Sequence, residues 1–251
     1  MGTVRQGTVP FEFTNMRLNK YIASCGIASR READKLIESG RIMVNGTMPS
    51  AGQDISDSDK VTFDGKEISP LDDHIYLAYY KPVGTVCTRD DPHAERTIYD
   101  DILLDNRNIT YAGRLDKDSE GLLILTDDGD LINAMMKGSN AHEKEYVVKV
   151  DKKITDDFLM KMADGIYLKD LDKTTRKCKV TRISDYSFNI ILTQGMNRQI
   201  RRMCAECGYK VESLMRIRVM NILLSRHRLM PGLYENLTDT EIEELKADLG
   251  L

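Results

Sequence analysis

Apolar residues recur at three- and four-residue spacing in two short stretches near the N-terminus, which is the pattern of amphipathic helices. The two sets are Leu18, Tyr21 and Ile22, followed by Ala33, Leu36 and Ile37. Gly26 interrupts the first stretch, and Ser29 stands three residues before Glu32, the spacing of a capping box that starts a helix. Gly40 ends the second stretch. The pattern therefore predicts a pair of short helices.

Short strand-like segments with turn residues follow the predicted helix pair. The run RIMVNG predicts a strand that ends in an Asn45-Gly46 turn, and the segment from Lys60 to Ile68 predicts a strand pair that turns at Asp64-Gly65. The polar, proline-containing stretch from Ser69 to Asp73 is typical of a linker. We therefore expect an N-terminal extension over residues 1–15, a small domain over 16–68, a linker over 69–73 and a larger domain over 74–251.

The rest of the chain mixes strand and helix patterns without a regular alternation. The segment HIYLAYY begins as a strand that breaks at Pro82 and Gly84. Further strands are predicted at Gly121 to Thr126, Lys144 to Val150, Cys178 to Ile183 and Ser187 to Thr193, and helices at Gly129 to Lys137, Thr155 to Met162, Arg198 to Cys207 and Thr240 to Leu249. A doubly wound sheet needs strict alternation of strands and helices. We therefore expect an α+β fold whose larger domain has a mixed, largely antiparallel sheet.

The composition is that of an ordinary globular protein, with 41% hydrophobic and 30% charged residues among 251. No apolar run approaches the length that crosses a bilayer, which excludes a membrane-spanning chain. The segment from Met1 to Asn15 lacks the apolar run of a secretory signal. Five cysteines without regular spacing argue against a disulfide framework and for a reducing compartment. We expect a cytoplasmic monomer.

The net charge of −4 conceals two basic regions and one acidic one. The local charge is +3 between Arg17 and Gly46 and +7 between Arg176 and Arg218, whereas the segment from Leu233 to the end carries −5. Phosphate binding needs a local basic surface rather than a basic protein. On charge alone, solvated polar faces explain the two basic regions equally well.

Three segments carry side chains suited to chemistry. In AGRLDKDSEGLLILTDD, Asp116 stands in a polar loop directly before an apolar strand, although such an Asp is more often part of a turn or a surface ion pair. In HEKEYVV, Tyr146 stands near a strand start, where tyrosine usually packs in the core. In ILTQGMNRQIRRM, Arg198, Arg201 and Arg202 stand near a helix start. The helix dipole opposes cations there, so these arginines need an anionic partner: phosphate, a carboxylate or both.

Together these segments resemble the pseudouridine synthase family that modifies ribosomal RNA, in its branch with an N-terminal RNA-binding domain. The family motif Gly-Arg-Leu-Asp is present at Gly113 to Asp116, and the element Lys-Pro-x-Gly at Lys81 to Gly84. The resemblance extends from about Met16 to about Leu245, which is nearly the whole chain. It implies an alpha-L RNA-binding fold for residues 16–68 and a pseudouridine synthase catalytic domain for residues 74–251.

The resemblance also implies an activity, the isomerisation of a specific uridine to pseudouridine in structured RNA without any cofactor or metal. The expected substrate is 23S ribosomal RNA, with a transfer RNA stem-loop as a second candidate. Asp116 is the implied catalytic carboxylate, acting at the ribose or at carbon 6 of the base, with Arg201 as its ion-pair partner and Tyr146 against the base. The other implied pocket residues are Arg114, Leu192, Arg198 and Lys81. The implied RNA-binding residues are Arg17, Lys20, Arg30, Arg31, Lys35, Arg41 and Arg202.

Two other functions remain open at this point. A non-catalytic module of ribosome assembly would keep the basic regions and would not need Asp116. A glycoside hydrolase would pair Asp116 with Asp118 or Glu120, although a chain without tryptophan lacks the usual sugar platforms. Cys204 and Cys207 form a CxxC pair, but no second pair has the spacing of a zinc site.

Overall fold

The structure is a computed structural model that describes residues 15–71, 73–89, 91–102, 108–137 and 141–251. Apart from Asn15, the expected N-terminal extension lies outside these residues. Contacts divide the chain into two compact units: the first runs to Asp73 and also includes Asn108, and the second contains the other described residues from His74 onward.

The first unit packs two helices against short strands. Helix α1 spans Leu18–Ser24 and helix α2 spans Arg30–Glu38; the strands are β1 (Met16–Arg17), β2 (Ile42–Val44), β3 (Asp54–Ile55), β4 (Val61–Phe63) and β5 (Lys66–Glu67). Strand β1 pairs with β3, and β4 lies between β2 and β5, all antiparallel. The helical apolar positions form the core, because Leu18, Ile22 and Ala33 are almost completely buried there.

Local sequence signals set the boundaries of these elements. The Ser29 hydroxyl accepts a hydrogen bond from the Glu32 N–H at 3.3 Å, and the Glu32 carboxylate accepts one from the Ser29 N–H at 2.9 Å, so the capping box is confirmed. Asn45-Gly46 and Asp64-Gly65 all adopt positive φ, which a tight two-residue hairpin turn requires. The Leu71 N–H donates to the carbonyl of the last residue of α1 at 3.0 Å, which ties the polar stretch after β5 to this unit.

A nine-stranded sheet organises the described residues of the second unit. Its strands are β6 (Tyr76–Lys81), β7 (Thr110–Tyr111), β8 (Glu120–Thr126), β9 (Lys144–Val150), β12 (Lys179–Arg182), β13 (Ser187–Leu192), β14 (Val211–Val219), β15 (Ile222–Leu223) and β16 (Tyr234–Asn236). Strands β10 (Tyr167–Leu168) and β11 (Lys173–Thr174) form a separate hairpin. The helices are α3 (Gly129–Met136), α4 (Asp156–Asp164), α5 (Gln199–Glu206), α6 (Leu224–His227) and α7 (Asp239–Leu249), with short 3₁₀ helices at Ile98–Asp100 and Lys169–Leu171.

The main path of this sheet runs β12, β13, β9, β14, β8, β6, β16, with β7 paired to β8 and β15 paired to β14. Every pairing is antiparallel except that of β8 with β14. The predicted α+β fold with a mixed, largely antiparallel sheet is confirmed.

Strands β6 and β8 are buried on both faces, which explains their nearly continuous apolar sequence. On one face Ala78 and Ile124 join a core with helices α3 and α7. On the other face Tyr79, Leu123 and Leu125 join a second core. A rigid strand pair therefore supports the polar loop that precedes β8.

The parallel contact between β8 and β14 depends on Gly121. A side-chain carbon at this position would lie 2.2 Å from the main-chain oxygen of Arg216, and the residue has a φ of +107°. Only glycine allows so close an approach of two backbones in this conformation. The glycine therefore lets β14 reach the start of β8, beside the loop that carries Asp116.

Candidate active site

A cleft of about 430 Å³ in the second unit collects five of the seven predicted catalytic and pocket residues. Its walls come from the loop before β8, the end of α3, the start of β9, the loop between β13 and α5, and β14. The volume lies in the range of about 300–1,000 Å³ that is usual for small-ligand sites. The predicted residues that line it are Arg114, Asp116, Tyr146, Leu192 and Arg198.

The loop that carries Asp116 is clamped by the Lys-Pro-x-Gly element. The Lys81 ammonium donates to the carbonyls of Ser119 at 2.7 Å and Pro82 at 2.9 Å. The Gly84 N–H donates to the Lys117 carbonyl at 2.7 Å. The loop thus has two fixed points directly after the carboxylate, which lies at the rim of the sheet.

Lys81, predicted to belong to the substrate pocket, is not among the residues that line this cleft. Its side chain is fully buried, and its ammonium is held by the carbonyls of Pro82 and Ser119. Burial lowers the pKa of Lys81 to about 8, and the nearby carboxylates of Asp118 and Asp116 offset only part of this effect. Lys81 therefore holds the loop in place.

Asp116 is partly shielded from solvent, with 23% of its side chain exposed. Its ion-pair partner among the described residues is Arg198, whose guanidinium lies 3.7 Å from the carboxylate. Arg198 also forms a bidentate pair with Asp118, at 3.0 and 2.7 Å. These hydrogen bonds are the main reason that the pKa of Asp118 is lowered.

Arg198 can reach both carboxylates because of its backbone. Helix α5 begins at Gln199, one residue later than predicted, and Arg198 precedes it with a left-handed φ of +51°. This conformation is uncommon for a residue other than glycine and is found mostly where surrounding contacts enforce it. The two aspartates of the opposite loop provide such contacts.

Arg201 contacts the same loop from inside the helix but makes no direct ion pair with Asp116 in this structure. Its guanidinium donates to the Asp118 carbonyl at 2.7 Å and to the Ser119 hydroxyl at 3.3 Å, and its Nε lies 3.3 Å from the Asp118 carboxylate. Burial lowers the pKa of Arg201. The pairing of Arg201 with Asp116 stays a prediction, whereas the observed pair is Arg198–Asp116.

Arg202 points to a different part of the unit. It donates to the Asp170 carboxylate at 2.6 Å and to the Asn197 carbonyl at 3.0 Å, and it does not line the cleft. All three arginines near the start of α5 therefore have carboxylate partners in the described chain. The sequence left open which anion neutralises these arginines, and the structure shows a carboxylate beside each of them.

Tyr146 and Leu192 supply the apolar walls of the cleft. Leu192, at the end of β13, is almost completely buried, and Tyr146 on β9 is half-buried. Tyr146 lies between Ile190 on β13 and Arg216 on β14 in the sheet register. No hydrogen bond of its hydroxyl is found among the described residues, so the hydroxyl is available to a ligand.

The sequence reasoning missed three cations that line the cleft: Lys137, which is exposed, and Lys144 and Arg216, which are not. Lys144 precedes Tyr146 by two residues and so lies on the same face of β9. Arg216 is 1% exposed, in the middle of the long strand β14. An arginine in the interior of an apolar strand pattern was the available signal for this position.

The described residues offer little to a metal. No group of three or more His, Cys, Asp or Glu side chains among them is arranged to hold one. Cys204 is buried in the core and Cys207 is half-buried; burial raises the pKa of both thiols, to about 12 for Cys204. No helix in the described parts of the chain is long and apolar enough to cross a membrane.

Comparison with protein families agrees with this geometry. A family model described as RNA pseudouridylate synthase matches residues 75–206, and one described as S4 domain matches residues 16–61. The chain belongs to the RNA pseudouridylate synthase family. Membership makes it an isomerase of RNA uridines with an RNA-binding S4 domain, and it removes the assembly module and the glycoside hydrolase as alternatives.

Individual relatives of this pseudouridine synthase include proteins with named specificities. The dual-specificity RNA pseudouridine synthase RluF of Salmonella typhi is 46% identical over 92% of this chain and 79% of its own length. The ribosomal large subunit pseudouridine synthase B of Xylella fastidiosa is 35% identical over 94% of this chain and 52% of its own length. A solved pseudouridylate synthase covers 92% of this chain and 99% of its own, with a TM-score of 0.69 and 31% identity.

Proposed function

We propose that this pseudouridine synthase modifies a uridine in large-subunit (23S) ribosomal RNA and also accepts a second RNA, a transfer RNA stem-loop. The names of its relatives support both parts, since one is a large-subunit enzyme and another has dual specificity. The observation that carries the proposal is the position of Asp116 in a clamped loop at the rim of a cleft of nucleoside-compatible size.

The reaction breaks the bond between ribose carbon 1′ and nitrogen 1 of uracil and forms a bond from carbon 1′ to carbon 5. A carboxylate such as Asp116 serves as nucleophile or charge stabiliser at the ribose or at carbon 6. Tyr146 packs against the base and Leu192 lines the pocket behind it. Arg198 and Arg201 hold the loop that carries Asp116 in place. Arg114 is exposed at the mouth of the cleft and fills the space that the extruded uridine leaves in the RNA.

The S4 domain contacts the RNA through basic side chains that have no ion-pair partner within the described chain. Arg30, Arg31 and Lys35 on α2 are exposed and have no ion-pair partner among the described residues; we call them the α2 cation cluster. By contrast, Arg17 pairs with Asp54, and Arg41 pairs with Asp64.

Arginines in the first turn of α2 face an unfavourable helix dipole, which bound phosphates offset. The α2 cation cluster therefore makes the main contacts to RNA phosphates, and Arg17, Lys20 and Arg41 lie beside it in the chain. Arg202, held by Asp170, contributes less to RNA binding than expected.

We further propose the domain limits 16–68, 69–73 and 74–251 and a monomeric enzyme in the cytoplasm. The boundary between the two compact units supports the division. The five cysteines are all free, which suits a reducing compartment.

The direct test replaces Asp116 by asparagine, which keeps the size and removes the charge. Pseudouridine formation in large-subunit RNA should fall below detection, while RNA affinity changes by less than about tenfold, or roughly 1.4 kcal/mol. Asp157→Asn, at an exposed ion pair on α4, is the matched control. Near-normal turnover by Asp116→Asn would exclude the proposed role of this carboxylate.

A further inference from the structure

The floor of the cleft holds two cations that lack a counter-charge. Arg216 is 1% exposed, and its guanidinium donates to the carbonyls of Leu122 at 2.7 Å and Gly113 at 3.2 Å. Lys144 is half-buried and makes no hydrogen bond or ion pair to the described residues. Neither side chain contacts a carboxylate in the described chain.

Both cations lie next to Gly113, in the loop that carries Asp116. Gly113, three residues before Asp116, accepts the hydrogen bond from Arg216. A side-chain carbon on Gly113 would lie 3.9 Å from Cε of Lys144, so the lysine passes directly beside this glycine. Burial, and then the charge of Arg216, lower the pKa of Lys144 to about 8. The cleft therefore brings two cations together at Gly113, three residues before Asp116 in the same loop.

Such an arrangement is costly for the free enzyme. A buried cation without an anionic partner loses its hydration and gains no Coulomb energy in return. This free-energy cost is offset when a ligand brings negative charge into the cleft. The RNA phosphates stay on the continuous backbone at the rim, near the exposed Arg114 and the partly exposed Arg198. The group that enters the floor is the base.

Negative charge appears on the base during the reaction. If Asp116 acts at carbon 1′, the electron pair of the C1′–N1 bond leaves with the uracil, which becomes an anion until carbon 5 attacks carbon 1′. If Asp116 attacks carbon 6, the electron pair of the C5–C6 double bond moves towards oxygen 4. On either route the C1′–N1 bond breaks, the C1′–C5 bond forms, and the bond to Asp116 breaks again to release the carboxylate. Carbon 5 loses its proton and nitrogen 1 gains one, so the atoms balance.

We propose that Lys144 and Arg216 form an anion hole that stabilises the negatively charged uracil ring between bond cleavage and bond formation. The inference rests on the proposed catalytic role of the cleft and assigns it two further residues. Preorganised charges aimed at a site where charge develops cost no reorganisation during the reaction, which is why such groups lower barriers. Lys144 and Arg216 also hold the released uracil in the cleft while it rotates.

Lys144 is the better residue to test, because Arg216 also supports the main chain through its two carbonyl contacts. We compare Lys144→Met and Lys144→Arg with the control Lys149→Met, which alters an exposed lysine of the same strand that pairs with Glu212. For each, the single-turnover rate and the dissociation constant for a stem-loop RNA are measured at two salt concentrations, together with the melting temperature.

The expected result is a roughly 100-fold slower chemical step for Lys144→Met, the size of effect seen when one oxyanion-hole donor is removed. RNA affinity should change less than about twofold, because the uridine is neutral before the reaction starts. Lys144→Arg should recover at least about a tenth of the wild-type rate. An unchanged rate in Lys144→Met would overturn the proposal. So would weaker binding with a shallower salt slope, which identifies a phosphate contact, or a loss of stability that arginine does not rescue.

The pH dependence gives a second readout. Only charged Lys144 stabilises an anion, so the wild-type rate should fall as pH rises through about 8, and Lys144→Arg should lack this fall. The other titratable or charged groups around the cleft are Arg114, Asp116, Lys137, His142, Tyr146, Arg198 and Arg216. An identical pH profile in wild type and Lys144→Arg would contradict the proposal. Failure of the wild-type enzyme to form pseudouridine would instead refute the proposed function.

Discussion

Replacing Lys81 by methionine separates the stability of the catalytic unit from the placement of its catalytic loop. Two effects on stability oppose each other. Lowering the pKa of Lys81 from 10.5 to about 8 corresponds to at most about 3 kcal/mol of unfavourable burial, and screening reduces this to about 1–2 kcal/mol. Methionine removes that cost. It also leaves the carbonyls of Ser119 and Pro82 without their donor, at about 1–3 kcal/mol each.

The net loss of stability should therefore be modest, about 2 kcal/mol, which corresponds to a melting temperature lower by roughly 4–8 °C. Catalysis should suffer more. The Ser119 carbonyl anchors the loop three residues after Asp116, and a displacement of about 1 Å at a reacting group costs about 100-fold in rate. We expect kcat to fall by about 100-fold at 25 °C, with RNA affinity unchanged.

The assay measures pseudouridine formation under saturating RNA, with circular dichroism to verify folding. Lys161→Met, which removes only an exposed ion pair with Asp157 on α4, is the control. A kcat within about threefold of wild type would refute the argument that Lys81 positions the loop.

A pH series tests the burial of Lys81 separately. Between the folded pKa of about 8 and the unfolded value of 10.5, the unfolded chain holds a proton on Lys81 that the native chain has lost. Stability from this group therefore rises with pH in that window. The stability advantage of wild type over Lys81→Met should grow from pH 7.5 to 9.5, and a constant difference would contradict the assigned environment.

Three further predictions follow from single features. Gly121→Ala should lower the free energy of unfolding by about 2–5 kcal/mol in chemical denaturation, because the new side-chain carbon would lie 2.2 Å from a main-chain atom. The control Gly129→Ala has open space around it and should be neutral, so equal stabilities of the two variants would contradict the close strand contact. Tyr146→Phe should keep RNA affinity and slow the chemical step if the hydroxyl assists proton removal; an unchanged single-turnover rate would limit Tyr146 to packing. Replacing the α2 cation cluster by glutamine should weaken RNA binding and make the log–log salt slope shallower by about two to three, and an unchanged slope would mean that these residues do not contact phosphate.

Sequence alone determined several elements of this protein and the position of its Gly-Arg-Leu-Asp run, but it did not indicate the long strand β14. The capping box at Ser29 and Glu32 and the two tight turns of the first unit depend on residues within a few positions of one another, so spacing predicts them. The same holds for strand β9, whose bounds at Lys144 and Val150 match the prediction. The Gly-Arg-Leu-Asp run placed Asp116 in a loop before a strand, as found.

Only the tertiary structure decided how the charges around Asp116 are arranged. Arg198 meets Asp118 across 80 residues of sequence, and Arg216 meets the Gly113 carbonyl across 103. Strand pairing sets such contacts, and in particular the close approach of β14 to β8 at Gly121. Spacing along the chain does not encode which cation faces which carboxylate, or whether a lysine lines a cleft or lies behind a loop. That depends on the packing of distant strands, which is why the sequence indicated neither the burial of Lys81 nor the place of Lys144 and Arg216 in the cleft.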